Sequence, residues 1–319
     1  MASPNSTFTE LVTTSLREHP GEIADNVSDH NALYRRLKTK GGIKKLDGGT
    51  TIVRPLDYAE NSTYQRFSGY DQLNIAASDV LSSAEYSWVQ AAIHVTASGE
   101  ELRKNSGKNR IINLAAARVK NAIRTASNNM SVDLYSSGAL TNQMTGLAAQ
   151  ITSDGTGTVG GIVAGTYTFW KNQFYELTST PDKAVVPAGM RTLWLRCVRG
   201  TDVPDLIVST HDFFSFYWNS LTDLQRYASA DSATMGFQSL KFVTADVIFD
   251  NNDNFSTTGE TMFFLNTDYL ELCVHEDANW TQMEDKMSVN QDAVVIPLLW
   301  MGNLVCSNRA RQGILTDLT

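Results

Sequence analysis

A glycine-punctuated ribbon at residues 41–70 is the feature that most constrains how this chain folds. It reads GGIKKLDGGTTIVRPLDYAENSTYQRFSGY, and its five glycines separate β-forming stretches such as residues 50–53. Charged side chains recur throughout the segment, which argues against a continuous apolar stripe on either face. An isolated two-stranded ribbon is at best marginally stable in water. The sequence therefore predicts an extended hairpin that needs outside support, and this favours assembly with other chains.

Length, composition and charge limit the class of protein. The chain has 319 residues, of which 42% are hydrophobic and 19% charged, so we expect one large globular domain or two joined ones. The net charge of −8 argues against coating nucleic acid by bulk electrostatics, although a basic cluster occurs at residues 110–124. Three widely spaced cysteines predict reduced thiols in a cytosolic setting and no disulfide framework.

No targeting or membrane segment is predicted. The N-terminal residues lack the apolar stretch of a secretory signal. The most apolar run, residues 293–305, is interrupted by Pro297 and Asn303 and is shorter than the roughly 20 residues that a spanning helix needs. We therefore expect a soluble protein in which this run forms core strands.

Two helices are predicted in the first half of the chain. Residues 29–38 form a short helix, with Asp29 as its cap and Gly41-Gly42 at its end. Residues 108–129 show apolar side chains at spacings of three and four, continue toward Gly138, and predict a strut more than about 30 Å long. Residues 83–97 fit a strand or a strand-helix mixture equally well.

The second half of the chain is predicted to be mainly β. A helix is expected at residues 212–227, with Asp212 as its N-cap. Strands are expected at residues 166–177, 191–198, 206–210, 240–249, 261–265, 269–274, 293–299 and 303–305. The result is a mixed α+β fold without an internal repeat.

One glycine motif has the spacing of a dinucleotide-binding loop. Gly155, Gly157 and Gly160 match that spacing, but such a loop must lead into a helix whose N-terminus receives the pyrophosphate. Here a β-prone stretch follows, so we interpret residues 154–165 as a flexible surface loop. A nucleotide site remains the alternative.

Other short motifs predict no catalytic, cofactor or metal site. His275-Glu276 resembles the start of a zinc-protease helix, but position 279 is Asn where the second ligand would stand. Cys273 and His275 lack a second ligand pair, and residues 250–261 depart from a calcium loop at two required positions. Residues 209–212 place Ser, His and Asp side by side, without the nucleophile elbow of a hydrolase.

The order of elements resembles a known family. A polar arm, a short helix, an extended hairpin, a long helix and a mixed α/β half follow one another as in the major capsid proteins of tailed bacteriophages, which have the HK97-type shell fold. Residues 206–227, LIVSTHDFFSFYWNSLTDLQRY, look like the strand-helix unit of the axial domain, and residues 292–309 like the closing segment. The resemblance implies an N-terminal arm (1–40), an extended loop (41–80), a peripheral domain with a spine helix (81–138), an axial domain (139–239) and return strands (240–319).

The resemblance implies a structural role. The chain would be a non-enzymatic subunit that self-assembles into hexamers and pentamers of an icosahedral phage head around double-stranded DNA. Expected partners are a separate scaffold protein, a portal, packaged DNA at the inner face and a decoration protein, with no cofactor and no membrane. The virion, and the host cytoplasm during assembly, are the expected locations. The predicted inter-subunit contacts are Tyr34, Arg35, Arg36, Ile52, Val53, Arg54, Tyr58, Tyr64 and Arg66.

Three alternatives remain open at this point. An encapsulin-like compartment shell would enclose a cargo enzyme and package no genome. A cytosolic enzyme would bind nucleotide through residues 155–161 and remain a small oligomer. A DNA-binding module would show steeply salt-dependent binding as a free protein.

Overall fold

A computed structural model describes residues 31–100, 114–221, 240–250, 260–282, 286–287 and 292–317. The described residues fall into two compact units. The smaller unit draws on Gln90–Ser131 and Asp277–Met301, and the larger on Asn31–Val89, Val132–Glu276 and Gly302–Thr319.

The elements follow one another along the chain. The first half has α1 (Ala32–Thr39), β1 (Ile43–Leu46), β2 (Ile52–Asp57), β3 (Leu81–Tyr86), β4 (Val89–Ser98), α2 (Leu114–Tyr135), α3 (Leu147–Gln150), β5 (Thr158–Val159), β6 (Ile162–Val163) and β7 (Gln173–Glu176). The second half has α4 (Val185–Cys197), β8 (Leu206–Ser209), α5 (His211–Ser220), β9 (Leu240–Phe242), β10 (Ala245–Phe249), β11 (Thr261–Leu265), β12 (Leu270–Gln282), β13 (Lys286–Met287), β14 (Ala293–Cys306) and β15 (Gly313–Thr316). Short 3-10 turns lie at Thr168–Trp170, Thr267–Tyr269 and Arg309–Arg311.

A six-stranded mixed sheet organises the larger unit. Its order is β7-β15-β11-β8-β10-β9, and β8 lies parallel to β10 and antiparallel to β11. All four residues of β8 are buried, as expected for a strand in the middle of a covered sheet. Helices α4 and α5 contribute Leu193 and Phe213 to the core that packs against the sheet residues Val247 and Phe264. In the same unit, β1 pairs in parallel with the first part of β12.

The smaller unit has its own apolar cluster. Strand β14 pairs with β4 and, antiparallel, with β13. Val95 of β4, Ala122 of α2 and Leu298 of β14 are buried together, and the rings of Trp280 and Trp300 stack with centroids 6.3 Å apart. This cluster is much smaller than the core of the six-stranded sheet.

The predicted helices are confirmed with corrections at their ends. The N-cap of α1 is Asn31, whose Oδ1 accepts a 2.8 Å hydrogen bond from the Tyr34 amide, so the assignment of Asp29 as the cap was wrong. The helix ends at the predicted glycines, where the Gly42 amide donates to the Leu37 carbonyl. Helix α2 has 22 described residues, or about 33 Å. Residues 108–113 lie outside the described part.

One predicted strand is a helix. Residues 191–198 were predicted to form a strand, but residues 191–197 belong to α4. Its buried residues Val186, Met190, Leu193 and Cys197 recur every three or four positions, because the helix packs one face on the sheet. The short apolar run Leu193-Trp194-Leu195 fits a strand as well as a helix, and tertiary packing selects the helix.

The remaining element predictions are largely confirmed. Residues 206–210, 240–249 and 261–265 contain strands as predicted, and residues 83–97 are strand throughout most of their length. The predicted strand at 166–177 is reduced to β7, and residues 293–305 form one continuous strand. The N-cap of α5 is Thr210, with Asp212 in the first turn, which corrects the predicted cap. No described helix is long and apolar enough to cross a membrane.

Candidate assembly surface

The base of the extended hairpin is supported within its own chain. Strands β2 and β3 pair antiparallel from Ile52↔Tyr86 to Asp57↔Leu81. Ile52 and Leu56 of β2 and Ala84 and Tyr86 of β3 lie on one face of the strand pair and are buried. Arg54 lies between Ile52 and Leu56 on that face and is only partly buried, so the apolar stripe is interrupted, as expected from the sequence.

The support comes from the glycine hairpin, which we define as β5, β6 and the turn between them. Val159 and Ile162 are buried against the base of the extended hairpin, and the Glu85 amide donates to the Gly160 carbonyl at 3.0 Å. The Trp170 indole fixes the glycine hairpin by donating to the Val159 carbonyl. The interpretation of residues 154–165 as a flexible surface loop was therefore wrong. Strand β6 follows the glycines where a nucleotide site requires a helix.

A fully buried arginine holds the segments on either side of the glycine hairpin. Arg309 donates through Nε to the Gln150 carbonyl, through Nη1 to the Trp170 carbonyl at 3.4 Å, and through Nη2 to the Thr156 carbonyl at 2.7 Å. Burial lowers the pKa of its guanidinium group. All the hydrogen-bond acceptors of this side chain are neutral oxygens, including Oγ1 of Thr152.

Beyond its base, the extended hairpin ends in an exposed apolar tip. We call residues 58–80 the hairpin tip, and they form neither helix nor strand. Tyr64, Phe67, Tyr70 and Ile75 are 82%, 64%, 106% and 93% exposed. Scattered apolar surface residues are ordinary, but four within twelve positions make the hairpin tip a candidate contact surface.

The hydrogen bonds of the hairpin tip lie largely within the tip itself. The Gln65 side-chain amide donates to the Gln72 carbonyl at 2.8 Å and accepts from the Asn74 amide at 3.2 Å. The Ser68 amide donates to the Asp71 carboxylate at 2.8 Å. Polar contacts thus shape the tip while its apolar side chains point to solvent.

The predicted contact residues of the hairpin fall into two groups. Val53, Tyr64 and Arg66 are exposed, and they remain predicted contacts. Ile52 is buried in its own chain. Arg54 lies 2.5 Å from the Glu271 carboxylate and 2.9 Å from Sγ of Cys273, so its contacts also lie within the chain. Tyr58 stacks on Phe169 with ring centroids 5.3 Å apart.

Helix α1, which includes the predicted contacts of the arm, is anchored on its own chain. Leu33 and Leu37 are fully buried. Nη2 of Arg36 lies 3.3 Å from the Asp205 carboxylate, and Nη1 lies 3.5 Å from that of Asp246. Tyr34 and Arg35 are partly exposed on the same helix and remain predicted contacts.

Asp205 is the centre of this anchor. Its carboxylate accepts from Nζ of Lys40 at 2.7 Å and from the amide and hydroxyl of Thr267 at 2.7 and 2.6 Å. Burial raises the pKa of the carboxyl group, but the hydrogen bonds from Lys40 and Thr267 outweigh that effect and hold the pKa below its ordinary value. The charged form is therefore favoured in the folded chain.

We expect Asp205→Asn to lower the free energy of unfolding by about 1.5–3 kcal/mol at neutral pH, since hydrogen bonds to a charged group are lost. A carboxyl pKa that is lower in the folded state stabilises the fold above the unfolded pKa, and the stabilisation is lost as pH falls through the folded value. The difference between wild type and variant should therefore narrow below about pH 4 in urea titrations. Asp57→Asn, at an exposed position, serves as the control. If the difference in free energy of unfolding between wild type and Asp205→Asn does not depend on pH, the lowered pKa of Asp205 is contradicted.

The other chemical motifs are not assembled into sites where the structure describes them, and residues 251–259 of the calcium-loop motif lie outside the described part. Ser209 is buried and donates to the Thr210 carbonyl, while His211 is exposed and lies 3.3 Å from Asp212. Burial raises the pKa of the Cys273 thiol. Among the residues that the structure describes, no three His, Cys, Asp or Glu side chains are grouped to hold a metal.

Sequence reasoning missed several residues of the surface. Phe67, Tyr70, Leu73 and Ile75 were not predicted as contacts, although apolar residues on both sides of Gly69 in a turn-rich segment gave a usable signal. Arg309 was also missed. Nothing local in the sequence marks it, because its partners lie more than 130 positions away.

Comparisons with known proteins establish the fold. No family model matches the chain, and no curated protein matches it. The cyanophage A-1(L) capsid asymmetric unit aligns with a TM-score of 0.63 and 14% identity, over 98% of this chain and 100% of that chain. The capsid of a native GTA particle aligns with a TM-score of 0.58 and 12% identity, over 94% of this chain and 95% of that chain. The holo-SrpI encapsulin complex of Synechococcus elongatus PCC 7942 aligns with a TM-score of 0.58 and 8% identity, over 98% of this chain and 97% of that chain. The fold predicted from the order of elements is confirmed.

Proposed function

We propose that this chain, which has the HK97-type shell fold, is the major capsid protein of a tailed phage. In this role it assembles into hexamers and pentamers that close into an icosahedral head around double-stranded DNA. The hairpin tip is the observation that supports the proposal most directly. Its apolar side chains are exposed on the single chain, and a neighbouring copy would cover them.

The energetics of the tip favour contact between copies. Burying a large apolar side chain contributes about 1.5–3 kcal/mol, and the tip offers at least four such side chains. Part of that gain offsets the entropy lost on association. Rings of five and six subunits require heterologous contacts that tolerate different angles, and a tip without regular secondary structure suits that requirement.

The proposed partners follow from this role. They are further copies of the chain, a separate scaffold protein, a portal, a decoration protein and packaged DNA at the inner face. The protein acts without a cofactor and without catalysis, in the virion and, during assembly, in the host cytoplasm. Tyr34, Arg35, Val53, Tyr64 and Arg66 are the proposed contact residues from the predicted set.

An encapsulin-like compartment is the second candidate. The observation that favours it is the encapsulin complex, which aligns with the same TM-score as the GTA capsid and over nearly the whole chain. Both candidates require closed shells. They differ in content, since a compartment encloses a cargo protein and a phage head encloses DNA.

Electron microscopy of the purified protein tests the proposal. Expressed alone and with its neighbouring genes, the chain should form closed shells or five- and six-membered rings. Nuclease-protected DNA in shells from infected cells would support the phage head, and a co-purifying enzyme would support the compartment. A uniform monomer or dimer under every condition would contradict both.

A further inference from the structure

We propose that the glycine hairpin sets the direction in which the extended hairpin leaves the subunit, and that Gly160 is the positioning residue. The inference rests on the proposed assembly function and adds a determinant of shell geometry to it. The glycine hairpin, rather than serving as a ligand loop, would act as the support that determines where the hairpin tip meets a neighbouring chain.

The turn of the glycine hairpin is fixed by its backbone. Thr158 pairs with Val163 and Val159 with Ile162, which leaves a two-residue turn at Gly160-Gly161. The φ angles there are +59° and +76°. A two-residue hairpin turn of this hand requires positive φ at both positions, which glycine adopts without strain.

Gly160 touches the extended hairpin more closely than any side chain would permit. A Cβ atom at Gly160 would lie 2.8 Å from Cβ of Ala84 and 3.3 Å from the Tyr86 ring. The Gly160 carbonyl also accepts the hydrogen bond from the Glu85 amide. Three consecutive residues of β3 thus contact this one position.

The β3 side of the contact has little freedom to yield. Ala84 is fully buried. The Tyr86 hydroxyl donates to the Cys306 carbonyl at 2.9 Å and accepts from the Cys306 amide at 3.3 Å, which fixes its ring. An added methyl group at position 160 must therefore shift β3 as a whole relative to the glycine hairpin.

A shift at the base is amplified at the tip. Strand β2 has six residues, or about 20 Å, and the hairpin tip lies beyond its end. A small rotation of the strand pair about its base moves the apolar side chains of the tip by a larger distance. In a closed shell every subunit repeats that displacement, so the angle between neighbours changes.

The test compares two alanine substitutions in the same turn. Gly160→Ala and Gly161→Ala both place a side chain at positive φ, so both carry the same kind of backbone strain. Only Gly160→Ala meets β3, since no atom lies within 4 Å of a Cβ at Gly161. Adding Ala84→Gly to Gly160→Ala removes the opposing methyl group. Ala84→Ser adds an atom from the β3 side without backbone strain.

Shell diameter and the fraction of closed particles, measured by cryo-electron microscopy, are the readouts. We expect Gly160→Ala and Ala84→Ser to give open or mis-sized particles, Gly161→Ala to give wild-type shells, and the Gly160→Ala/Ala84→Gly pair to recover them. Wild-type shells from both Gly160→Ala and Ala84→Ser would overturn this inference but would leave the proposed function standing. If Gly160→Ala does not fold, Ala84→Ser decides the question. A wild-type chain that never forms shells overturns the proposed function and this inference together.

Discussion

Replacing Phe67, Tyr70 and Ile75 with serine should abolish closed shells and leave the subunit folded. These side chains are 64%, 106% and 93% exposed on the single chain, so the free subunit loses almost no burial when they are truncated. Surface changes of this kind usually alter the free energy of unfolding by less than about 0.5 kcal/mol. Each truncation would remove about 1.5–3 kcal/mol of burial from every contact between neighbours.

The experiment needs a control for lost surface hydrophobicity. Leu140 and Leu195 are 70% and 68% exposed and lie outside the hairpin, so Leu140→Ser and Leu195→Ser provide it. Electron microscopy counts closed particles, and urea denaturation of the unassembled subunit checks folding. Normal shells from the tip variant would contradict the assignment of this surface. Loss of shells in the tip variant and both controls alike would show that the effect is not specific.

Charge reversal at Arg54 is unsuitable for the same purpose. Arg54 is one of the inter-subunit contacts predicted from the sequence. Its guanidinium lies 2.5 Å from the Glu271 carboxylate, and a glutamate there would face a second carboxylate in a partly buried site. The fold itself would be weakened. Arg66 is exposed and offers the cleaner charge test.

The second large effect is expected at Arg309. Arg309→Leu should lower the free energy of unfolding by about 3 kcal/mol or more, because each buried acceptor that loses its donor costs about 1–3 kcal/mol. The carbonyl groups of Gln150 and Trp170 lose the hydrogen bond that Arg309 donates, and the Thr156 carbonyl keeps only the one from the Thr152 hydroxyl. Urea denaturation followed by circular dichroism measures the loss.

Arg311 provides the matched control for Arg309. It lies in the same 3-10 turn, is less buried, and donates to a single carbonyl, that of Cys197, at 3.2 Å. Arg311→Leu should cost no more than about 1.5 kcal/mol. Equal losses at the two positions would mean that the acceptors around Arg309 find other donors. Arg309→Lys should fall between them, since one ammonium group cannot reach all four oxygens.

Local patterns predicted a large part of this fold. The helical spacing of Leu33 and Leu37, the glycines after α1 and the β-forming residues 50–53 can all be recognised within a few positions of the sequence. Helix α4 was missed because the short apolar run at residues 193–195 fits a strand as well as a helix. The helical spacing of its buried face becomes clear only over the longer span of residues 186–197.

The parts of the site that depend on distant residues could not be predicted. Gly160 matters because Ala84 lies against it, and the two are separated by 76 positions, which no local pattern connects. The complete burial of Arg309 contradicts the ordinary expectation that charged side chains stay near solvent. The hairpin tip was predicted in part, since Tyr64 and Arg66 were predicted as inter-subunit contacts and their apolar neighbours were not.

The register of β2 against β3 has a consequence for how subunits meet at high concentration. The Tyr58 amide donates to the Val80 carbonyl, so by alternation the backbone groups of residues 53, 55 and 57 point away from β3. The middle residue of that outer edge is Pro55, which has no N–H to donate. A strand from another molecule therefore cannot form a continuous ladder there. Along this edge another molecule can therefore be held only through side chains, and a wrongly placed copy would detach and rebind more readily than a strand held by a ladder of backbone hydrogen bonds.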